Sequence, residues 1–96
     1  MINFEWDHNK NKVNVVKHGV LFEEAVTVFG DEYSLIIPDP EHSDAVEDRF
    51  VIMWCSSKGQ ILVVCHCYRE SDSLIRIISA RKATKKERKQ YEERRQ

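Results

Sequence analysis

Residues 49–82 read R-F-V-I-M-W-C-S-S-K-G-Q-I-L-V-V-C-H-C-Y-R-E-S-D-S-L-I-R-I-I-S-A-R-K. Three apolar runs dominate this stretch: R-F-V-I-M-W-C, I-L-V-V-C-H-C-Y and L-I-R-I-I-S. Their β-branched and aromatic content predicts three strands. They are joined by Ser57-Lys58-Gly59 and by Glu70 to Ser73, and connections this short require antiparallel neighbours. Upstream, Y-S-L-I-I at 33–37 ends at Pro38 and reads as a further strand. The segment P-D-P-E-H-S-D-A-V-E-D at 38–48 is acidic, with two prolines, and reads as a loop.

The first thirty residues read differently. I-N-F-E-W at 2–6 alternates apolar and polar, as a short strand does, and Asp7 then offers an N-cap for a helix through about Lys17. Lys17, His18 and Gly19 form its expected end, with cations near the C-terminal dipole and then a glycine able to take positive φ. Phe22, Ala25, Val26 and Phe29 have helical spacing, which predicts a second helix from about Leu21 to Phe29, stopping at Gly30. At the far end, I-I-S-A-R at 77–81 closes a strand and A-T-K-K-E-R-K-Q-Y at 83–91 opens a basic helix. Thr84 and Glu87 have the spacing of a capping box. The predicted fold is α+β, an antiparallel sheet packed against two N-terminal helices with a C-terminal basic helix, in one domain spanning 1–96.

Ninety-six residues with 42% apolar content supply one modest core. No apolar run approaches the roughly 18 residues that span a bilayer, and the charged start lacks a signal-peptide core, so a cytoplasmic protein with no membrane role is expected. The formal net charge of -1 conceals a polarity. Residues 1–48 carry 3 Lys/Arg against 11 Asp/Glu, and residues 49–96 carry 12 against 5. Such asymmetry suits a polyanion partner for one part of the surface, or mutual neutralisation of the two halves in the fold. Arg76, Arg81 and Lys82 gather where the last strand meets the last helix, a common setting for holding phosphate.

Strand parity states which side chains can cooperate. With Lys58-Gly59 as a two-residue turn, Arg49, His66 and Tyr68 are expected as neighbours on one face. With Arg69 opposite Leu74, Arg76 falls with Cys65 and Cys67. A bulge would reverse such an assignment. Cys55, Cys65 and Cys67 are an odd set without zinc-ribbon spacing, and alternation sends His66 away from Cys65 and Cys67. Free thiols are expected and no metal site.

Several strings together resemble one family. E-W-D-x-x-K at 5–10, N-x-x-K-H-G at 14–19, F-E-E-A at 22–25, Arg49, and I-I-S-A-R-x-A-x-x-x-E-R ending at Arg88 resemble the BrnT toxins, in the family's order over nearly the whole chain. The resemblance implies a RelE-like domain and a ribonuclease that blocks translation. It also implies a BrnA-like antitoxin whose ribbon-helix-helix part binds operator DNA, so that the toxin meets that DNA only through the antitoxin and the complex represses the operon.

RNA cleavage without a metal or other cofactor needs a base for the 2′-hydroxyl, cations for the crowded phosphorane and an acid for the leaving oxygen. Arg49 and Arg81 are the candidates for stabilising the phosphate. Lys17, Arg76, Lys82 and Tyr68 are candidates for holding RNA. For proton transfer the candidates are His18, His66, Tyr68, Glu87 and Tyr91, with histidine the easiest shuttle. Each has a plainer role open to it: His18 as a helix end, His66 as a half-buried strand residue, Arg49 paired with Glu47 or Asp48, and Arg81 anchoring Glu87.

The chain also departs from the family pattern. Where I-G-R-S is expected before the turn, Met53-Trp54-Cys55-Ser56 stands, so a glycine is replaced by Trp54 and an arginine by Cys55. The alternative function is therefore a non-catalytic relative that only binds an antitoxin or RNA.

Overall fold

The computed structural model describes residues 2–30, 35–38, 48–69 and 73–95. Its elements are β1 (Asn3–Glu5), α1 (His8–His18), α2 (Phe22–Val26), a 3-10 turn (Thr27–Gly30), β2 (Leu35–Pro38), β3 (Phe50–Cys55), β4 (Ile61–Arg69), β5 (Leu74–Lys82) and α3 (Lys85–Arg95). The predicted α+β class is what is found. Tyr33, Ser34, the acidic loop at 39–47 and turn residues 70–72 lie outside the described residues.

Local chemistry sets the helix ends. The Asp7 carboxylate accepts the Asn9 and Lys10 N–H groups at 2.8 and 3.1 Å, and these two bonds hold its pKa below the ordinary carboxylate value. Gly19 closes α1 at φ 70, a left-handed conformation that costs glycine nothing. Leu21 has no side chain able to cap α2, and α1 supplies the cap instead: Asn11 Oδ1 accepts the Phe22 N–H at 2.9 Å while its Nδ2 donates to Glu23 at 2.8 Å. The second helix is shorter than predicted. It ends at Val26, where the Thr27 hydroxyl donates to the Glu24 carbonyl at 2.7 Å and the chain tightens into the 3-10 turn.

The five strands lie in the order β1-β5-β4-β3-β2. The sheet is mixed, not wholly antiparallel as expected, because β1 runs parallel to β5 at its edge with Glu5 beside Arg76. The two helices carry the chain away from that edge before the antiparallel strands bring it back. Glu5 fastens the seam, 3.5 Å from Arg76 and 3.8 Å from Arg69.

Two register details redirect the side chains. The β3–β4 turn is longer than two residues: Ser56 N–H donates to Gln60 O at 2.7 Å and Gly59, at φ 78, donates back to Ser56 O at 2.9 Å. Phe50 therefore sits opposite His66 and Val51 opposite Cys65, which separates Arg49 from His66 and Tyr68. The expected grouping of those three was one register step out. Between β4 and β5, Arg69 does face Leu74, but a bulge intervenes farther along. Cys65 pairs with Ser79 and His66 with Ile77, leaving Ile78 as the extra residue.

The core lies between the helices and one sheet face. Val20, Phe22, Ala25 and Val28 meet Ile52, Leu62, Val64, Ile75, Ile77 and Ala80, all essentially inaccessible. Each large side chain so buried contributes about 1.5–3 kcal/mol. Trp54 is core, as a tryptophan in a central strand usually is, and packs edge-on against Tyr91 of α3 at 4.7 Å between centroids.

Candidate active site

The capping box at the start of α3 forms as its spacing predicts. Glu87 N–H donates to Thr84 Oγ1 at 3.2 Å, and Thr84 N–H donates to Glu87 Oε1 at 2.8 Å. The same carboxylate receives both terminal nitrogens of Arg81, at 2.7 and 3.0 Å. That bidentate contact holds the Glu87 pKa down at about 2 and raises that of Arg81. Glu87 is thus a fixed anion at neutral pH. It aims the arginine and carries no proton to exchange.

Beyond the bulge, Arg81 pairs with Val63 and so emerges on the face opposite the core. There it lines a cleft of roughly 300 Å3 together with Lys17, His18, Arg49, Val51, Val63, Cys65, Ile78 and Ser79. Three elements bring its polar groups, over a floor of Val63 and Cys65 from β4. The end of α1 brings Lys17 and His18, the start of β3 brings Arg49, and bulged β5 brings Ile78, Ser79 and Arg81. The floor is apolar and the rim is cationic, and no carboxylate lines it among the described residues. Such a site favours a phosphate.

The bulge is what makes the site, since the extra residue turns Arg81 outward and sets Ile78 and Ser79 together on the cleft side. Asn14 fixes the distance between the helix and that strand. Buried at 5% exposure, its Nδ2 donates to Val20 O and Ala80 O, each at 2.8 Å, and its Oδ1 accepts the Ala80 N–H at 3.1 Å. One turn beyond Asn14 stands His18, and one residue beyond Ala80 stands Arg81.

Of the predicted site residues, the cleft brings together Lys17, His18, Arg49 and Arg81, with Glu87 behind Arg81. The others stand elsewhere. His66 is wholly buried on the core face, and burial pushes its pKa down to about 4, only partly opposed by the bond to Val64. It is therefore neutral: Nδ1–H donates to Val64 O and Nε2 accepts the Tyr68 hydroxyl, both at 3.3 Å. Phe29 and Phe50 pack around it. Tyr68 shares that side and Tyr91 is buried against Trp54. Arg76 faces Glu5 toward the β1 edge, and Lys82 is exposed opposite Leu62. Sequence reasoning missed Ser79, Cys65 and Ile78 as lining residues, because the bulge that presents them leaves no local signal.

The three cysteines are free. No group of three or more His, Cys, Asp or Glu able to hold a metal occurs among the described residues. No described helix is long and apolar enough to cross a membrane.

The fold has a solved counterpart. The crystal structure of the Brucella abortus ribonuclease toxin BrnT superposes with a TM-score of 0.67 over 88% of this chain and 100% of that one, at 22% identity. No curated protein sequence matches the chain. Residues 6–87 match the family described as the ribonuclease toxin BrnT of type II toxin–antitoxin systems. With more than four fifths of its length in that match, the chain belongs to the BrnT family of ribonuclease toxins.

Proposed function

We propose that this toxin cleaves RNA in the Arg49–Arg81 cleft without a metal ion. The observation that carries the reading is the convergence of Lys17, His18, Arg49 and Arg81 from three separate elements on one cleft. Its lining is cationic, apolar and free of described carboxylates, a donor set that suits a phosphate and repels a divalent cation. His18 accepts the ribose 2′-hydroxyl proton, the 2′-oxygen attacks phosphorus to close a 2′,3′-cyclic phosphate, and the 5′-oxygen leaves with a proton taken from solvent water. Arg49 and Arg81 take up the charge that grows on the phosphorane. Arg81 offers the edge of its guanidinium that Glu87 leaves open, and Lys17 holds a neighbouring phosphate.

On this reading the toxin acts on RNA in the cytoplasm and inhibits translation. Its antitoxin is a BrnA-like ribbon-helix-helix protein, through which the pair reaches operator DNA and represses its operon. The test is cleavage of purified RNA in EDTA by wild type, His18→Ala, Arg49→Ala and Arg81→Ala, with growth followed on induction. Cleavage that survives EDTA and falls 100-fold or more in each variant, on the order expected for a lost acid-base or charge-stabilising group, supports the reading. Folded wild type without cleavage overturns it.

A second reading rests on Cys55. It pairs with Ile61 on the sheet face that carries Val63 and Arg81, yet it contributes a thiol where the family pattern has a guanidinium. On that reading the protein is a non-catalytic relative that binds an antitoxin or RNA. Growth unaffected by induction and restored toxicity in Cys55→Arg would favour it.

A further inference from the structure

Five large apolar side chains are exposed among the described residues: Ile2, Val13, Val15, Val16 and Leu21. Four of these five lie on α1 or just beyond it, and Val16, at 90% exposure, is almost as open as in an unfolded chain. Helix α1 has no packing reason to keep them, since it faces the sheet with Asn14 and caps α2 with Asn11. Exposed valines grouped on one short helix mark a contact surface more than chance scatter does.

Their position narrows the partner. Val13 and Val16 are one helical step apart, and Val13 borders a groove of roughly 350 Å3 between α1 and bulged β5, lined also by Asp7, whose carboxylate is engaged in capping α1, and by Lys10, Lys17, His18, Ile78 and Ser79. The last four of these also line the candidate active site, so groove and cleft are continuous. An apolar ridge thus runs beside Lys10 and Lys17 into a site rimmed by Arg49 and Arg81. The groove's described lining carries no Phe, Tyr or Trp, and its one imidazole, His18, also lines the cleft, so the groove offers little of the stacking surface that single-stranded RNA uses. Apolar contact beside cations matches an amphipathic peptide carrying carboxylates.

We propose that the Val13–Val16 ridge and the groove beside it dock an acidic amphipathic segment of the antitoxin, which from there covers the active-site cleft. This rests on the reading of the cleft given above. Apolar residues of that segment sit on Val13, Val16 and Ile78, and its carboxylates meet Lys10, Lys17 and the cleft arginines. Inhibition is then occlusion from the α1 side.

The test uses the full-length toxin and the purified antitoxin from its own operon. Val13→Ser/Val16→Ser is compared with Val15→Ser/Leu21→Ser, which alters the other flank of α1 beside Asn11 and Lys12. Valine and serine have similar helix propensity, so both variants keep the helix. Calorimetric titration should show antitoxin affinity at least tenfold weaker for the first variant and within about twofold of wild type for the second, with free-toxin cleavage unchanged in both. Equal affinity for the first variant and wild type overturns the proposal, as does equal weakening by both variants. Lost cleavage with intact affinity assigns the groove to RNA, and lost self-association with intact affinity assigns the ridge to a second copy; each overturns it. Because affinity and cleavage are read separately, a wild type that binds antitoxin but cleaves nothing refutes only the catalytic reading.

Discussion

Asn14 holds both backbone groups of Ala80, donating to its carbonyl at 2.8 Å and accepting its N–H at 3.1 Å. A side-chain amide here replaces a strand partner and clamps α1 onto β5 with nearly all of its hydrogen-bonding capacity used, since it also reaches Val20 O. Leucine matches its size and none of its bonds. Asn14→Leu leaves three buried backbone groups unpaired and should cost about 3 kcal/mol, measured as a lower urea midpoint with unchanged slope. A loss below 1 kcal/mol would show that the clamp is dispensable.

Arg81 and Glu87 form the other fixed pair. Glu87 titrates at about 2 in the fold against 4.5 when free, so its contribution is complete above pH 4.5 and is lost as pH falls toward 2. The Arg81 side chain is 41% exposed, and solvent screening limits the pair to about 1 kcal/mol. Glu87→Gln should therefore be less stable than wild type by that amount at pH 7 and equal to it near pH 2. Its cleavage should fall while its pH profile keeps its shape, because the carboxylate orients Arg81 and exchanges no proton. An altered acid or basic limb would instead make Glu87 a proton donor or acceptor.

Arg81→Lys should be nearly as damaging as Arg81→Ala. Lysine keeps the charge but offers a point donor that cannot satisfy both Glu87 oxygens and grip a phosphate at once. Cleavage by the lysine variant within about threefold of wild type would show that only charge matters at this position.

How far the sequence discloses this molecule depends on the range of each signal. The Asp7 cap, the Gly19 stop and the Thr84–Glu87 box span only a few residues, and all form as predicted. Register is a longer-range property. The β3–β4 turn holds one more residue than two, and the bulge at Ile78 adds another, so the expected company of Arg49 was displaced from His66 and Tyr68 to Arg81 and Cys65. The parallel β1–β5 seam was illegible for the same reason, because no local pattern joins residues 3–5 to 74–76. Chemistry-bearing types were visible; which of two histidines faces solvent was decided by packing.

His66 should govern acid stability without touching catalysis. Its folded pKa of about 4 lies below the 6.5 of the free side chain, so the unfolded chain binds the proton first. Stability is therefore complete above pH 6.5, declines as pH falls from 6.5 toward 4, and loses nothing more from this group below that. The full effect is on the order of 3 kcal/mol. His66→Gln should flatten that decline in denaturant melts and leave cleavage near wild type, whereas His18→Ala should do the reverse. Lost cleavage in a well-folded His66→Gln would return His66 to the mechanism.

Ser56 is the residue of Met53-Trp54-Cys55-Ser56 that agrees with the expected I-G-R-S, and its hydroxyl serves three neighbours. It donates to Glu24 Oε2 at 2.6 Å and accepts the N–H groups of Lys58 and Gln60 at 3.2 and 3.3 Å, tying the β3–β4 turn to α2. Glu24 is only 7% exposed, and the Gln60 amide, at 2.9 Å, is its other described partner. Ser56→Ala strips the buried carboxylate of its shortest bond and leaves two turn amides without their acceptor, which should cost about 2–3 kcal/mol. Glu24→Gln keeps an oxygen to accept from Ser56 and should cost under about 1 kcal/mol, because burying a neutral amide is cheaper than burying a charge. Thermal melts of the two single variants and the double variant decide it. A double variant whose loss is the plain sum of the singles would show that the serine holds the turn alone, and a smaller loss that the two act as a unit.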